Sequence, residues 1–264
     1  VPIWLYEVRP LYAGLALVVL IEAISLIGLF MLRRFVLPRL NYGEGGNEAV
    51  SGTVQAIGVF YGITVGLIAI GVWNTHSNAA DLVSKEASSI ATLYRDLGGY
   101  PEPIRTELRS KLREYTVFTI EKVWPSQQRG VIQTSFGASL LDEFQDKIHA
   151  FEPATMGQQS KHAEALNAYN RMIEYRRLRI DAVDNGLDIV MWTVIWLGAA
   201  ISIGIAYFFK IADPKLHAIL IFLMAAFLAM LIFMIVINDR PFYGRVSISS
   251  TPYQLILDRV IDGK

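Results

Sequence analysis

The chain has 264 residues, 53% of them hydrophobic and 18% charged, with 24 basic against 24 acidic side chains and no cysteine. Soluble domains carry about a quarter charged residues, so this balance excludes a disordered chain and a fibrous repeat, and the lack of thiols excludes a secreted disulfide scaffold. A formal net charge of zero leaves no field to attract nucleic acid, so no nucleic-acid partner is expected.

A helix needs about 20 predominantly apolar residues to cross the hydrocarbon, and four windows meet that length. Leu11 to Leu32 carries a single charge, Glu22; Val54 to Trp73, Ile189 to Phe209 and Ala218 to Ile237 carry none. The first window is too long for the apolar part of a signal peptide, and Arg33-Arg34 follows it where small residues would mark a cleavage site. Four such windows in so short a chain predict an integral membrane protein with transmembrane helices one and two in 1–74 and three and four in 189–237.

Between spans two and three, residues 75–188 hold more than half of the charges of each sign. Gly98-Gly99-Tyr100-Pro101 breaks the chain. Ile104, Leu108, Leu112, Tyr115 and Thr119 then recur at helical spacing, and Trp124-Pro125 is expected to end that helix. Leu140, Leu141, Phe144, Ile148 and Phe151 mark a second helix that stops at Pro153, and a third runs from about Gln158 to Gly186. The expected fold class is therefore an all-α membrane protein, with an extramembrane helical bundle inserted between spans two and three and an extramembrane tail at 238–264. No Gly or Pro occurs between Val72 and Leu97, so span two is expected to continue into the bundle as one helix. The helix carrying Arg176, Arg177 and Arg179 is expected to lead into span three with a bend at Gly186.

Arg33, Arg34, Arg39, Lys210 and Lys215 lie in the two short connections and vote by the positive-inside rule for a cytoplasmic short-loop side. Arg240, Arg245 and the arginines before span three vote the other way. No cofactor or metal is expected: His76, His149, His162 and His217 share no ligand spacing, and phosphate-loop and dinucleotide patterns are absent. Nor is a catalytic base with a partnered nucleophile recognisable, so the chain is not read as an enzyme.

In span two, Gly58, Gly62 and Gly66 fall at i, i+4 and i+8 and give a face nearly free of side chains, suited to a close helix contact in lipid. Gln55, Val59 and Ile63 form another stripe at the same spacing. Such a stripe can point at lipid, at the bundle interior or at a pore axis. Near the middle of span one, a charged Glu22 costs a few kcal/mol unless it is protonated, paired or wet. Its readings are a neutral acid bonded to Ser25, Tyr61 or Thr64, a group on an aqueous pathway, or a cation or proton site.

Gly62-Ile-Thr-Val followed by Val72-Trp73-Asn74, after a first span capped by Arg33-Arg34-Phe35, resembles the second-span region of bestrophins. Glu86-Ala87, then Glu121-Lys-Val-Trp124-Pro125 with Gly130, and Asp239-Arg-Pro241-Phe242-Tyr-Gly244 resemble a family of unknown function described as bestrophin-like. The resemblance implies a homo-oligomer, with a pentamer favoured, that passes inorganic ions, mostly anions, through a neck lined by span two. It places Gln55, Val59 and Ile63 at that neck, where bestrophins carry Ile and Phe, and it implies no calcium gating. It also implies a cytoplasmic bundle, and a bacterial inner membrane is the expected location, with membrane lipid as a partner. Trp73 is expected in the aromatic belt at a span end; Trp124, Pro125, Pro241 and Phe242 are expected to lock turns and pack the insert on the tail. Arg176, Arg177 and Arg179 read as a solvated or headgroup-facing run, or as an anion-attracting vestibule. The rival function is a non-conducting scaffold or accessory subunit whose insert recruits another protein, and a cation-selective channel on the same fold is a further alternative.

Overall fold

The computed structural model describes residues 8–40, 45–131 and 137–263. Among the described residues all regular structure is helical. In chain order the α-helices are α1 (Pro10–Met31), α2 (Gly46–Asp96), α3 (Ile104–Phe118), α4 (Trp124–Gln128), α5 (Ala138–His149), α6 (Met156–Val183), α7 (Ile189–Ala206), α8 (Pro214–Asp239) and α9 (Thr251–Ile256). Four of them, α1, α2, α7 and α8, are long and apolar enough to cross a membrane. The protein is an all-α, four-span membrane protein.

The chain divides into two compact units, one running to Asn74 and resuming at Gly186–Asp239, the other made of Thr75–Asn185 and Arg240–Lys264. In the first unit Tyr61 and Val65 of α2 pack with Ile195 and Ala199 of α7 and with Ala225 and Ile232 of α8. The Tyr61 hydroxyl, buried among them, donates to the Ile195 carbonyl at 2.8 Å, which removes the cost of an unpaired polar group in an apolar core. Two glycines make these packings feasible. A Cβ on Gly198 would collide with the Tyr61 ring, and one on Gly14 of α1 would lie 2.8 Å from the Phe233 ring of α8. The remaining surfaces of the four helices expose Leu, Ile and Phe, as at Leu20, Phe60, Leu67 and Phe227. Helices apolar on every side suit lipid, where every backbone group must be satisfied within the helix.

The second unit is built from amphipathic helices. Leu108, Leu112 and Tyr115 of α3, Leu141, Phe144 and Ile148 of α5, and Ala165, Ala168 and Met172 of α6 are all buried, each set following helical periodicity. Phe144 stacks on Tyr169 with centroids 5.3 Å apart.

Two boundaries differ from expectation. Trp124-Pro125 does not end the α3 run: a π-helical turn at Thr119–Val123 carries the chain into α4, and Pro125 sits in the first turn of that helix, where a missing N–H costs nothing. The chain leaves α4 at Gly130, whose φ of 73° suits only glycine well. Nor is there a bent helix at Gly186. α6 ends at Val183, and a new helix begins at Ile189 with Asp188 as its cap, accepting from the Met191 N–H at 2.8 Å. Between them the Leu187 N–H donates to the Asp239 carboxylate at 2.6 Å, so the break is stabilised by a side chain from the end of α8. By contrast α2 is unbroken for 51 residues, as the lack of Gly and Pro after Val72 requires.

Candidate functional site

On α2 the buried residues Tyr61, Val65 and Val72 define the face turned to the rest of the first unit. At 100° per residue, Val59 and Ile63 lie on the opposite side, and they are 60% and 58% exposed. Gln55 is exposed one turn earlier, its amide donating to the Ser51 hydroxyl at 3.1 Å. The three residues thus form a row that no other part of the described chain covers. The same holds for the glycines: a Cβ at Gly58, Gly62 or Gly66 would meet nothing within 4 Å. Among the described residues the glycine stripe is therefore not a helix contact, and close approaches between the spans fall to Gly14, Gly28 and Gly198 instead. Trp73 and Asn74, at the end of this segment, are both exposed.

Glu22 faces inward. It is 6% exposed, and neither carboxyl oxygen has a hydrogen-bond partner among the described residues. The three hydroxyls named for it donate to backbone carbonyls, Ser25 to Ile21 at 2.7 Å, Tyr61 to Ile195 at 2.8 Å and Thr64 to Phe60 at 2.8 Å, and none is hydrogen-bonded to the Glu22 carboxyl. The reading of Glu22 as an acid bonded to one of those three side chains is thereby corrected. Gly14 against Phe233 and Leu29 against Ile221 set the antiparallel register of α1 and α8. That register puts Glu22 level with the turn from Ala225 to Ala229, which offers no donor side chain.

The second unit contains a polar cluster that sequence reasoning found only in part. Glu86 is fully buried, and Arg179 is 1% exposed. The Arg179 Nε donates to the Glu86 carboxylate at 2.6 Å, and its Nη1 donates to the Gln127 side-chain oxygen at 3.2 Å. The Tyr115 hydroxyl donates to the same carboxylate at 2.9 Å, while the Trp124 ring lies 5.6 Å from the guanidinium carbon. Burial pulls the Arg179 guanidinium toward neutrality, but the Glu86 carboxylate, with Tyr253 and Tyr115 beside it, outweighs this and holds it firmly charged. Burial likewise pushes the Tyr115 and Tyr253 phenols up. Arg179 is thus neither a solvated side chain nor a vestibule cation. A charged residue in an arginine-rich run gives no local sign that it is the buried one, and only its helical register with Met172 and Ala182 hinted at it.

Trp124 and Phe242 meet edge to face with centroids 5.8 Å apart, and the Trp124 indole donates to the Ile248 carbonyl at 3.0 Å. The Pro241 carbonyl accepts from the Ile248 N–H at 2.8 Å, and the Gly244 N–H, at φ 70°, donates to the Gln128 carbonyl at 2.9 Å. These contacts close the tail segment onto the α4 turn within the second unit.

His162, elsewhere in the second unit, is expected to give it a pH dependence. The Tyr100 hydroxyl lies 2.7 Å from His162 Nδ1, and both rings pack on Phe151. Burial, and after it the charge of His149, holds the His162 imidazole below its ordinary value, and burial pushes the Tyr100 phenol up to about 12. The unfolded chain takes up this proton near pH ~6.5, before the folded one does. Stability is therefore full above that pH and falls as the pH drops through the lower folded value. Thermal unfolding between about pH 8 and 5 should show this loss, and His162→Gln, which keeps an acceptor but does not titrate, should flatten it.

A family model described as the Bestrophin-like domain matches residues 19–253. The chain belongs to the bestrophin-like family. Comparison with curated proteins and with solved structures gives no match. Membership of the bestrophin-like family points to a channel-like rather than an enzymatic function. The match extends over α2, Glu22 and the Glu86–Arg179 cluster alike. Among the described residues no group of three His, Asp or Glu side chains is arranged to hold a metal ion.

Proposed function

We propose that this protein is a passive, anion-conducting channel of bestrophin-like type. In this reading it assembles as a ring of identical subunits, with α2 of each lining the central pore. One observation carries the reading: the face of α2 opposite Tyr61, Val65 and Val72 has no partner among the described residues, and it presents Gln55, Val59 and Ile63 in one row. In a ring these become stacked constrictions, two apolar and one carrying amides. An apolar ring gates by dewetting, and the Gln55 amides hold water and offer donors to a dehydrating anion. The bare stripe at Gly58, Gly62 and Gly66 flanks that row and would let the α2 helices of neighbouring subunits approach closely. The bacterial inner membrane is the proposed location.

Flux from liposomes loaded with the purified protein tests the reading, with opposed chloride and potassium gradients and empty vesicles as control. A chloride-selective leak is expected. A folded ring-sized assembly that leaks neither ion would instead favour the scaffold, and a reversal potential following potassium would assign cation selectivity. Glu22 enters the same assay. Glu22→Gln keeps the shape and removes the ionisable group, so it is expected to leave assembly intact and change the pH profile of flux; an unchanged profile removes Glu22 from the conduction mechanism.

A further inference from the structure

Glu22 is the only Asp, Glu, Lys or Arg in α1. Both of its carboxyl oxygens are closed off from the surface without a hydrogen-bond partner among the described residues. The seam between α1 and α8 is shut on either side of it. Toward the start of α1 a Cβ on Gly14 would already lie 2.8 Å from the Phe233 ring, and toward its end Leu29 packs with Ile221. At the level of Glu22 the facing turn of α8 presents Ala225 and Ala229, both fully buried, and neither carries a polar side-chain atom.

An acid at this depth is stabilised by a cation, by water or by a proton. No basic side chain of the spans stands near it. Arg9 and Arg33 are the basic residues next along the chain, about 20 and about 16 Å away at the rise of an α-helix. α2 as far as Asn74 and the whole of α7 hold no Lys or Arg, and Glu48 at the start of α2 is itself an acid. In α8, Lys215 and His217 lie in the first turn and Asp239 at the last residue. The titratable groups left around α1 are phenols that donate to backbone carbonyls, Tyr61 to Ile195 and Tyr207 to Ser25, each at 2.8 Å. A buried water needs two or more polar partners, and the alanine turn supplies no side chain for one. A proton meets the need without any partner group.

We propose that Glu22 is a proton-binding site closed by the contact of α1 with α8. The carboxyl holds one proton while the seam is shut and gives it up to water when α1 moves off α8. Ionised in place, it would set an uncompensated charge against Ala225 and Ala229, so the charged form favours the open seam. The site is independent of conduction and would stand if the protein carried no current. An acid held in this way is also a modification site for a lipid-soluble carbodiimide. Its O–H adds across one C=N bond, the proton going to nitrogen and the carboxyl oxygen to carbon. The acyl group then shifts to nitrogen and leaves a stable N-acylurea, with no other reactant consumed.

The test uses the full chain in phosphatidylcholine vesicles at neutral pH. The infrared difference between wild type and Glu22→Gln should show the carbonyl stretch of an un-ionised acid, lost in the variant. Dicyclohexylcarbodiimide should add once to the α1 peptide, at Glu22 by mass spectrometry, while a water-soluble carbodiimide should leave that peptide unmodified. An infrared difference made only of carboxylate bands would overturn the proposal. So would equal modification by the water-soluble reagent, which would put Glu22 on an aqueous pathway. Modification that stops when sodium replaces choline at fixed pH would overturn it too, by making the ligand a cation. Both reagents act on the wild-type protein, so they decide the matter even if Glu22→Gln fails to fold.

Discussion

Arg179→Met is expected to cost the second unit about 3–5 kcal/mol, the penalty for leaving one partner of a buried ion pair without the other. Glu86 has no access to solvent, and in the variant it keeps the Tyr115 hydroxyl but loses the guanidinium charge. Glu86→Gln is expected to do comparable damage from the other side, stranding a guanidinium held by Gln127 and the Trp124 face. The double change Glu86→Leu with Arg179→Met should recover most of the loss, because a well-packed apolar pair of similar volume does as well as a buried ion pair. Hydrogen exchange of the α2 and α6 amides, with denaturant unfolding, measures all three variants. A single variant losing less than about 1 kcal/mol, the range of an exposed pair, would mean that the pair is solvated in the working protein.

The second large effect concerns the row on α2. Val59→Ala combined with Ile63→Ala should raise unitary conductance severalfold, since it trims both apolar rings and lowers the barrier to wetting a narrow constriction. Stability should change little, because neither side chain is packed within the subunit. That contrast separates the reading from a structural one, in which both residues would weaken the fold and leave current unaltered. Single-channel recording in planar bilayers provides the measurement. Unaltered currents from a well-assembled double variant would place the pore elsewhere.

The four spans were legible because their signal is local: length and continuous apolarity suffice, and neither depends on what packs where. The unbroken α2 was legible for the same reason, through the lack of helix-breaking residues beyond Val72. The glycines were harder. A spacing of four at Gly58, Gly62 and Gly66 looks like a contact, yet close approaches between the spans fall at Gly14, Gly28 and Gly198, which share no spacing of four. Glu22 stood out as the lone charge in an apolar window, but that it has no hydrogen-bond partner among the described residues depends on where the fold places Ser25, Tyr61 and Thr64.

Glu86 and Arg179 lie 93 residues apart, and no periodicity links a carboxylate in one helix to a guanidinium in another. The amino-acid sequence by itself determined the membrane class, the helical content and the number of spans, because hydrophobic partition and backbone hydrogen bonding act on each segment separately. The tertiary structure decided which face of α2 is left unpacked and which arginine of the cluster is buried. Those properties belong to pairs of segments, and they exist only once the chain has brought the segments together.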